Sequence, residues 1–158
     1  MNTKKLLALT ASHLVAVAVG FSAGVYVLPI LIAPAAPTQQ DIQASVSAAQ
    51  WTAAVRSDLK GSDALHWGEG TVFVGPHSIS LQGQLAPGPD YKLYVSPEFV
   101  ETEADFLRVK PQMLRIGDVK TFDNFIVPVP QGADLARFNT VVVWCETFGQ
   151  FITAAKYR

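Results

Sequence analysis

The feature that most constrains this chain is an uncharged apolar segment near its N-terminus. From Leu6 to Ala36 the sequence contains no Asp, Glu, Lys or Arg. About 20 consecutive apolar residues are enough to cross the hydrocarbon core of a bilayer, which is roughly 30 Å thick. We therefore assign residues 1–36 to an N-terminal membrane anchor, with the lipid bilayer contacted through residues 6–33.

The distribution of basic residues predicts the orientation of this anchor. Lys4 and Lys5 precede the apolar segment, and the next basic residue along the chain is Arg56. Basic residues next to a span stay on the cytoplasmic side. The sequence therefore predicts a single-pass protein of the cell membrane, with a cytoplasmic N-terminus and a C-terminal domain outside the cytoplasmic membrane.

A cleaved signal peptide is the alternative interpretation of the same segment. The stretches Ala33–Ala35 and Ala16–Ala18 both fit the small-residue pattern of a cleavage site. However, the apolar run is roughly twice as long as the apolar core of an ordinary signal peptide. Prolines at 29, 34 and 37 also crowd the later candidate site. We favour a retained anchor, and cleavage stays the alternative.

Length and charge limit the number of domains and the kinds of partner that the rest of the chain can have. The 158 residues suffice for one domain with a real core. Lys4 and Lys5 are two of the twelve basic residues, so ten remain beyond the anchor against thirteen acidic ones. The domain is mildly acidic and lacks the basic surface of a nucleic-acid-binding protein. DNA and RNA are therefore excluded as partners.

A short helix is predicted after the anchor, within a linker or stalk that covers residues 37–61. Thr38 and Asp41 resemble a capping box, and Lys60 and Gly61 provide a basic last turn and a stop. The apolar residues at helical spacing are Ile42, Val46, Ala49 and Ala53. Because this stripe is mostly alanine it would bury little area, so we expect a stalk or a peripheral element.

Short runs rich in β-branched and aromatic residues follow, separated by clusters of Gly, Pro, Asp and Ser. The predicted strands are Thr71–Val74, Ile79–Gln82, Tyr91–Ser96, Phe122–Val127, Val141–Cys145 and Phe151–Ala154. Such spacing is typical of an antiparallel sandwich or barrel. The predicted fold class is mainly β: a single small antiparallel β-sandwich or barrel-like domain over residues 62–158, preceded by an N-terminal transmembrane helix and a short linker helix.

The connection between residues 97 and 113 is acidic. Its carboxylates are Glu98, Glu101, Glu103 and Asp105. Their spacing does not match an EF-hand loop, so we interpret them as a solvated face and not as a cation site.

The common catalytic motifs are absent, so the sequence leaves open whether the protein is an enzyme. It contains no C-x-x-C pair, H-E-x-x-H zinc motif, G-x-S-x-G elbow or Walker loop. Cys145, His66, His77 and Met113 supply the ligand types of a blue-copper centre. No histidine or methionine closely follows Cys145, as such a centre would require. We predict no metal site and leave the cofactor open; metal binding through Cys145 stays the weakest alternative.

Cys145 is the single cysteine and ends an apolar run. In a strand it shares a face with Val141 and Val143, while Trp144 points to the other side. A free cysteine is most often a small buried hydrophobe, and the residues alone favour that interpretation. A redox role would require a partly exposed thiolate next to a cation such as protonated His66.

Four segments carry a resemblance to a known family. They are His66–Gly70, Pro87–Tyr94, Ile116–Lys120 and Val141–Ala155, which follow one another in the expected order. From about Asp63 to Tyr157 the chain resembles the DM-thirteen domain, a small β-rich domain also found beside DOMON modules in Skeletor-type animal proteins.

The resemblance implies that Cys145 is the signature residue of the family and that the domain takes part in electron transfer or redox modification at cell surfaces. It makes Cys145 the redox candidate and His66 a possible second group, with Trp144 and Trp67 as packing neighbours. His77 is expected in an exposed turn. The implied function is a redox or electron-transfer accessory that works with a separate redox protein. The alternative is a non-catalytic envelope interaction module in which Cys145 fills the core.

Overall fold

A computed structural model describes residues 2–158 and begins with a long apolar helix, α1 (Thr3–Ile32). The side chain of Asn2 caps its first turn by accepting a hydrogen bond from the backbone N–H of Lys4. Thirty residues of α-helix span about 45 Å, more than the roughly 30 Å of a bilayer core. No residue of α1 is buried in the protein. This one helix, in the described part of the chain, is long and apolar enough to span a membrane.

The second helix, α2 (Gln39–Ser47), begins at the predicted capping box. The hydroxyl of Thr38 accepts from the backbone N–H of Asp41, whose carboxylate accepts from the backbone N–H of Thr38. The helix is peripheral, but it packs on the domain: Ile42 is 1% exposed, and the Ser45 hydroxyl donates to Ser80 across 2.7 Å.

The helix is shorter than the sequence predicts. It ends at Ser47, and Trp51–Val55 forms the first strand, β1, instead of further helical turns. Ala53, predicted on the apolar stripe, lies in this strand opposite Val72. Pairing with a neighbouring strand outweighs the weak helical preference of an alanine stripe, because each strand residue gains ladder hydrogen bonds and cross-strand contacts.

Eight strands and a third helix make up the domain. Beyond β1, they are β2 (Gly68–Val74), β3 (Ser78–Leu85), β4 (Tyr91–Ser96), α3 (Glu103–Val109), β5 (Leu114–Val119), β6 (Asp123–Pro128), β7 (Thr140–Cys145) and β8 (Gln150–Lys156). They form two antiparallel four-stranded sheets in the orders β1-β2-β3-β6 and β5-β4-β7-β8. The predicted mainly β, sandwich-like fold is confirmed.

All six predicted strands are present, and two further strands were missed. β1 lies in the segment predicted as the linker helix, and β5 lies between residue 113 and the predicted strand Phe122–Val127, where no element is predicted. In β5 the residues Arg115, Gly117 and Asp118 interrupt the apolar pattern, which an edge strand tolerates because one of its sides has no partner.

The acidic connection between residues 97 and 113 contains α3. Two of its carboxylates form ion pairs: Glu98 pairs with Arg108, and Glu101 pairs with Lys60.

The core lies between the two sheets, and a second apolar cluster covers the outer face of the β5-β4-β7-β8 sheet. The main core includes Val72, Ile79, Leu81, Leu93, Phe125, Val141, Val143, Cys145 and Ile152. The outer cluster contains Tyr94, Val100, Phe106, Val109, Val142, Trp144, Phe151 and Ala154. β7 is buried on both faces, which explains its unbroken apolar run.

One end of the sandwich carries Cys145. β3, β5 and β7 end there, and β4, β6 and β8 begin there, as the antiparallel order requires. We call the loops 86–90, 120–122 and 146–149 the cysteine end. Residues 21–34 at the end of α1 and just after it lie against these loops and share a groove with them.

Candidate functional site

Cys145 is sealed inside the cysteine end. It is the last residue of β7, it pairs with Tyr91 of β4, and it is 2% exposed. Its Sγ donates a hydrogen bond to the backbone oxygen of Pro89, 3.0 Å away in the loop that precedes β4. The predicted division of faces is confirmed, because Val143 and Cys145 lie in the main core while Trp144 lies in the outer cluster.

The surroundings of Cys145 keep its thiol protonated. Burial raises the pKa of the thiol, and the carboxylates of Asp90 and Glu146 raise it further. Backbone hydrogen bonds from Phe148 and Thr147 act in the opposite direction but do not outweigh burial. The thiolate is the nucleophilic form of cysteine, so the closed fold disfavours thiolate chemistry at this position.

His66 is held by a different partner. Its Nδ1 lies 2.9 Å from a carboxylate oxygen of Asp63, and its backbone N–H donates to the same carboxylate across 2.8 Å. The hydrogen bond with His66, together with backbone donors, lowers the pKa of Asp63. The hydrogen bonds of His66 in the described residues go to Asp63 and those of the Cys145 thiol go to backbone groups, so none joins His66 to the thiol.

The remaining candidate residues occupy separate places. The backbone oxygen of Trp67 accepts from Ala86, which ties the segment carrying His66 to the loop that covers Cys145. His77 is exposed in the turn between β2 and β3, at the opposite end of the sandwich. Met113 packs against the outer cluster. Across the described residues, no three His, Cys, Asp or Glu side chains come together as a metal site.

A charged aromatic cluster beside Cys145 was missed by the sequence analysis. The rings of Phe106 and Trp144 are stacked with centroids 3.9 Å apart, and Tyr94 meets Phe106 edge to face. The Nζ of Lys110 lies 5.5–5.8 Å from the centroids of all three rings. It donates to both carboxylate oxygens of Glu146, at 2.8 and 3.0 Å, and the hydroxyl of Tyr94 donates to the same carboxylate. We call these five residues the Lys110 cluster.

The sequence predicts the aromatic strand residues of the Lys110 cluster but not its ion pair. Tyr94 and Trp144 are large aromatic residues in predicted strands, and their outward direction follows from the period of two. Lys110 follows α3, 36 residues before Glu146 along the chain. Only the packing of α3 on the sheet brings the two charges together.

The Lys110 cluster makes stability depend on pH. Burial opposes ionisation of Glu146, but hydrogen bonds from Lys110 and Tyr94 outweigh it and lower the pKa of the carboxyl. A lowered folded-state pKa adds stability above the unfolded-state value, and that stability is lost as pH falls through the folded-state pKa.

We expect Lys110→Met to lower the free energy of unfolding at pH 7 by about 1–2 kcal/mol, less than for a buried pair because both side chains are partly exposed. The difference from the wild-type protein should shrink once pH falls below 4.5, the ordinary pKa of glutamate. Denaturant titrations at several pH values measure it. Lys156→Met, at an exposed lysine of β8, is the control; an equal loss there would contradict the prediction.

Comparison with known proteins covers seven of the eight strands of the sandwich. A family model described as electron transfer DM13 matches residues 60–157, which include β2 to β8 and Cys145. No curated protein and no solved structure matches the chain. The match covers well over half of the sequence and agrees with the resemblance carried by the segments around His66, Pro87 and Cys145. The chain therefore belongs to the DM13 family of electron-transfer domains.

Proposed function

We propose that this protein is a membrane-anchored electron-transfer accessory that works outside the cytoplasmic membrane, with Cys145 as its redox residue and a separate redox protein as its partner. The family match supports electron transfer, and α1 supports anchoring. One observation links the electron-transfer role to the membrane anchor. Pro89, whose oxygen accepts the hydrogen bond from Cys145, lies in the wall of a groove whose opposite wall is α1. The redox candidate thus lies directly behind the surface that faces the anchor.

The length of α1 supports a domain that rests at the membrane surface. If the span begins after Lys5, about 20 residues at about 1.5 Å each reach the far side of the hydrocarbon core near Val25. Tyr26 then lies in the outer interface, where tyrosine is enriched. The last turns of α1, up to Ile32, extend beyond the core and line the same groove as the cysteine end.

A redox role for Cys145 requires the closed site to open. The thiol is neutral and covered, whereas reaction with a partner requires an accessible thiolate. Exposure of Sγ therefore requires the loops 86–90 or 146–149 to open, and docking of the partner on the cysteine end would supply the energy. In this proposal the isolated protein is unreactive and the complex is reactive.

The test compares variants at matched stability. In the proposed step the thiolate of Cys145 attacks a disulfide of the partner, which forms a mixed disulfide and releases one partner thiolate. We expect acid quenching and mass spectrometry to trap this mixed disulfide in membranes that contain the wild-type protein and its partner, and we expect Cys145→Ser to abolish electron transfer to the partner. The matched control is Val143→Ala, which weakens the same core face of β7 but keeps the sulfur. If the wild-type protein and Cys145→Ser transfer electrons to the partner at the same rate, the proposal is contradicted.

A second candidate function is an interaction module in which Cys145 is structural, and it is favoured by the 2% exposure of the residue. In this case Cys145→Ser lowers the free energy of unfolding by about 1–3 kcal/mol, from polar burial and lost packing. Val143→Ala would then impair function to the same degree as Cys145→Ser. Denaturant titration combined with a functional assay of both variants separates the two candidates.

A further inference from the structure

We propose that the groove between α1 and the cysteine end binds a lipophilic quinone, a flat ring with an apolar tail, drawn from the outer side of the membrane. This inference rests on the proposed electron-transfer function and deepens it by naming the ligand class. The groove has a volume of about 710 Å³. That volume lies within the range of roughly 300–1,000 Å³ typical of small-molecule sites.

The walls of the groove suit an aromatic ring. Four aromatic side chains line it: Phe21 from α1, and Tyr91, Phe122 and Phe148 from the domain. Tyr91 and Phe122 meet edge to face with centroids 5.9 Å apart, so this wall is already ordered. Phe148 is 46% exposed and has no aromatic partner within the described chain. A planar ring inserted here would gain stacking contacts that water does not offer.

The groove lies next to the bilayer, and this location favours a ligand that is soluble in lipid. One wall runs along α1 from Phe21 to Ile32, so it begins inside the outer edge of the hydrocarbon core, near Val25, and extends beyond it. Leu28 and Ile32 are exposed, so this apolar surface lacks a partner in the chain. Burying apolar surface is favourable in proportion to its area. A molecule with an apolar tail can reach this wall from the adjacent lipid without crossing water.

The rim of the groove favours a neutral head group over the phosphate of a lipid. Its charged residues are Asp90, Asp118, Lys92 and Lys120, two of each sign. Lys92 is already paired with both carboxylates, at 2.6 and 3.1 Å. Lys120 is exposed and forms no ion pair within residues 2–158. Its ammonium can donate a hydrogen bond to a quinone oxygen, whereas the balanced rim offers no net attraction to an anion.

The groove also adjoins the redox candidate. Gly88 and Pro89 form part of its wall, and the oxygen of Pro89 accepts the hydrogen bond from Cys145. A ring bound against this loop would lie on the other side of the peptide that covers the thiol. Occupancy of the groove and opening of the loop therefore involve the same residues.

The experiment uses the full chain in phosphatidylcholine nanodiscs and radiolabelled decylubiquinone as the probe. We expect saturable binding above that of empty nanodiscs. Gly24 lines the groove, and a Cβ there meets no atom within 4 Å, so the side chain introduced by Gly24→Leu starts in open space and occupies part of the groove. We expect Gly24→Leu to raise the Kd at least about tenfold, which corresponds to about 1.4 kcal/mol.

The matched control is Gly20→Leu, one helical turn earlier. A Cβ at Gly20 also meets no atom within 4 Å, but Gly20 lies outside the groove lining, so its Kd should equal that of the wild-type protein. Equal Kd values for both variants, no saturable binding, or a retained phospholipid that decylubiquinone does not displace would each overturn the quinone site. If binding fails while Cys145 is still oxidised in membranes, only this inference fails. If binding holds while Cys145 stays unoxidised, the site stands and the redox role fails.

Discussion

We expect the thiol of Cys145 to react with a maleimide at least roughly 100-fold more slowly in the folded protein than in the unfolded chain, a factor that an opening free energy of about 2.7 kcal/mol produces. Two observations carry this expectation. The residue is 2% exposed and its Sγ is hydrogen-bonded to Pro89. Burial also raises the pKa of the thiol, which lowers the fraction of reactive thiolate at neutral pH.

The labelling measurement needs two controls: one for the reactivity of the maleimide with an exposed thiol, and one for labelling after the protein unfolds. A cysteine placed at the exposed position of Gln131, in a Cys145→Ala background, should react at the rate of a free thiol. Addition of denaturant to the wild-type protein should accelerate labelling up to the rate of the unfolded chain. Rapid labelling of native Cys145 would show that the cysteine end is open, and the gated role would have to be abandoned for a permanently accessible thiol.

The maleimide labelling of Cys145, repeated in the presence of a purified partner, tests the function of this residue. Under the proposed function, docking on the cysteine end exposes Sγ and raises the labelling rate. Under the structural alternative, a partner that covers this end leaves the rate unchanged or lowers it. The direction of the change therefore separates a redox residue from a core residue, independently of any electron-transfer measurement.

The second large effect is expected at Phe106. We expect Phe106→Ala to lower the free energy of unfolding by about 3–5 kcal/mol, the range found for buried aromatic truncations. Phe106 is fully buried and stacks on Trp144, and Tyr94 meets its ring edge to face. Removing the ring leaves a cavity under α3 and removes one of the three aromatic faces that surround the ammonium of Lys110.

Leu107→Ala is the matched control for Phe106→Ala. Leu107 is the next residue of α3 and is 52% exposed, so its truncation tests the helix without opening a cavity. We expect a change within about 0.5 kcal/mol, as for ordinary surface substitutions. Denaturant titration of the purified protein in detergent measures both variants. Similar losses would mean that α3 contributes through its helical structure and not through packing on the sheet.

Local patterns in the sequence were sufficient for part of this structure. α1 follows from an uncharged apolar run, the start of α2 from the Thr38–Asp41 capping box, and six strands from runs of β-branched and aromatic residues between turn clusters. The face on which Cys145 lies follows from its distance in strand positions from Val143. Each of these features depends on residues close in the chain, whose geometry is set by backbone periodicity.

The remaining features depend on residues far apart in the chain, and only the tertiary structure decided them. β1 and β5 pair with neighbouring strands, although alanines in β1 and the charged residues and glycine of β5 weaken the strand pattern of their sequences. The hydrogen bond from Cys145 to Pro89 joins residues 56 positions apart, and the groove joins α1 to three loops of the domain. Residue spacing predicts which side chains share a face of one element. It does not predict which elements pack together, because that depends on the apolar area and hydrogen bonds gained by the whole fold.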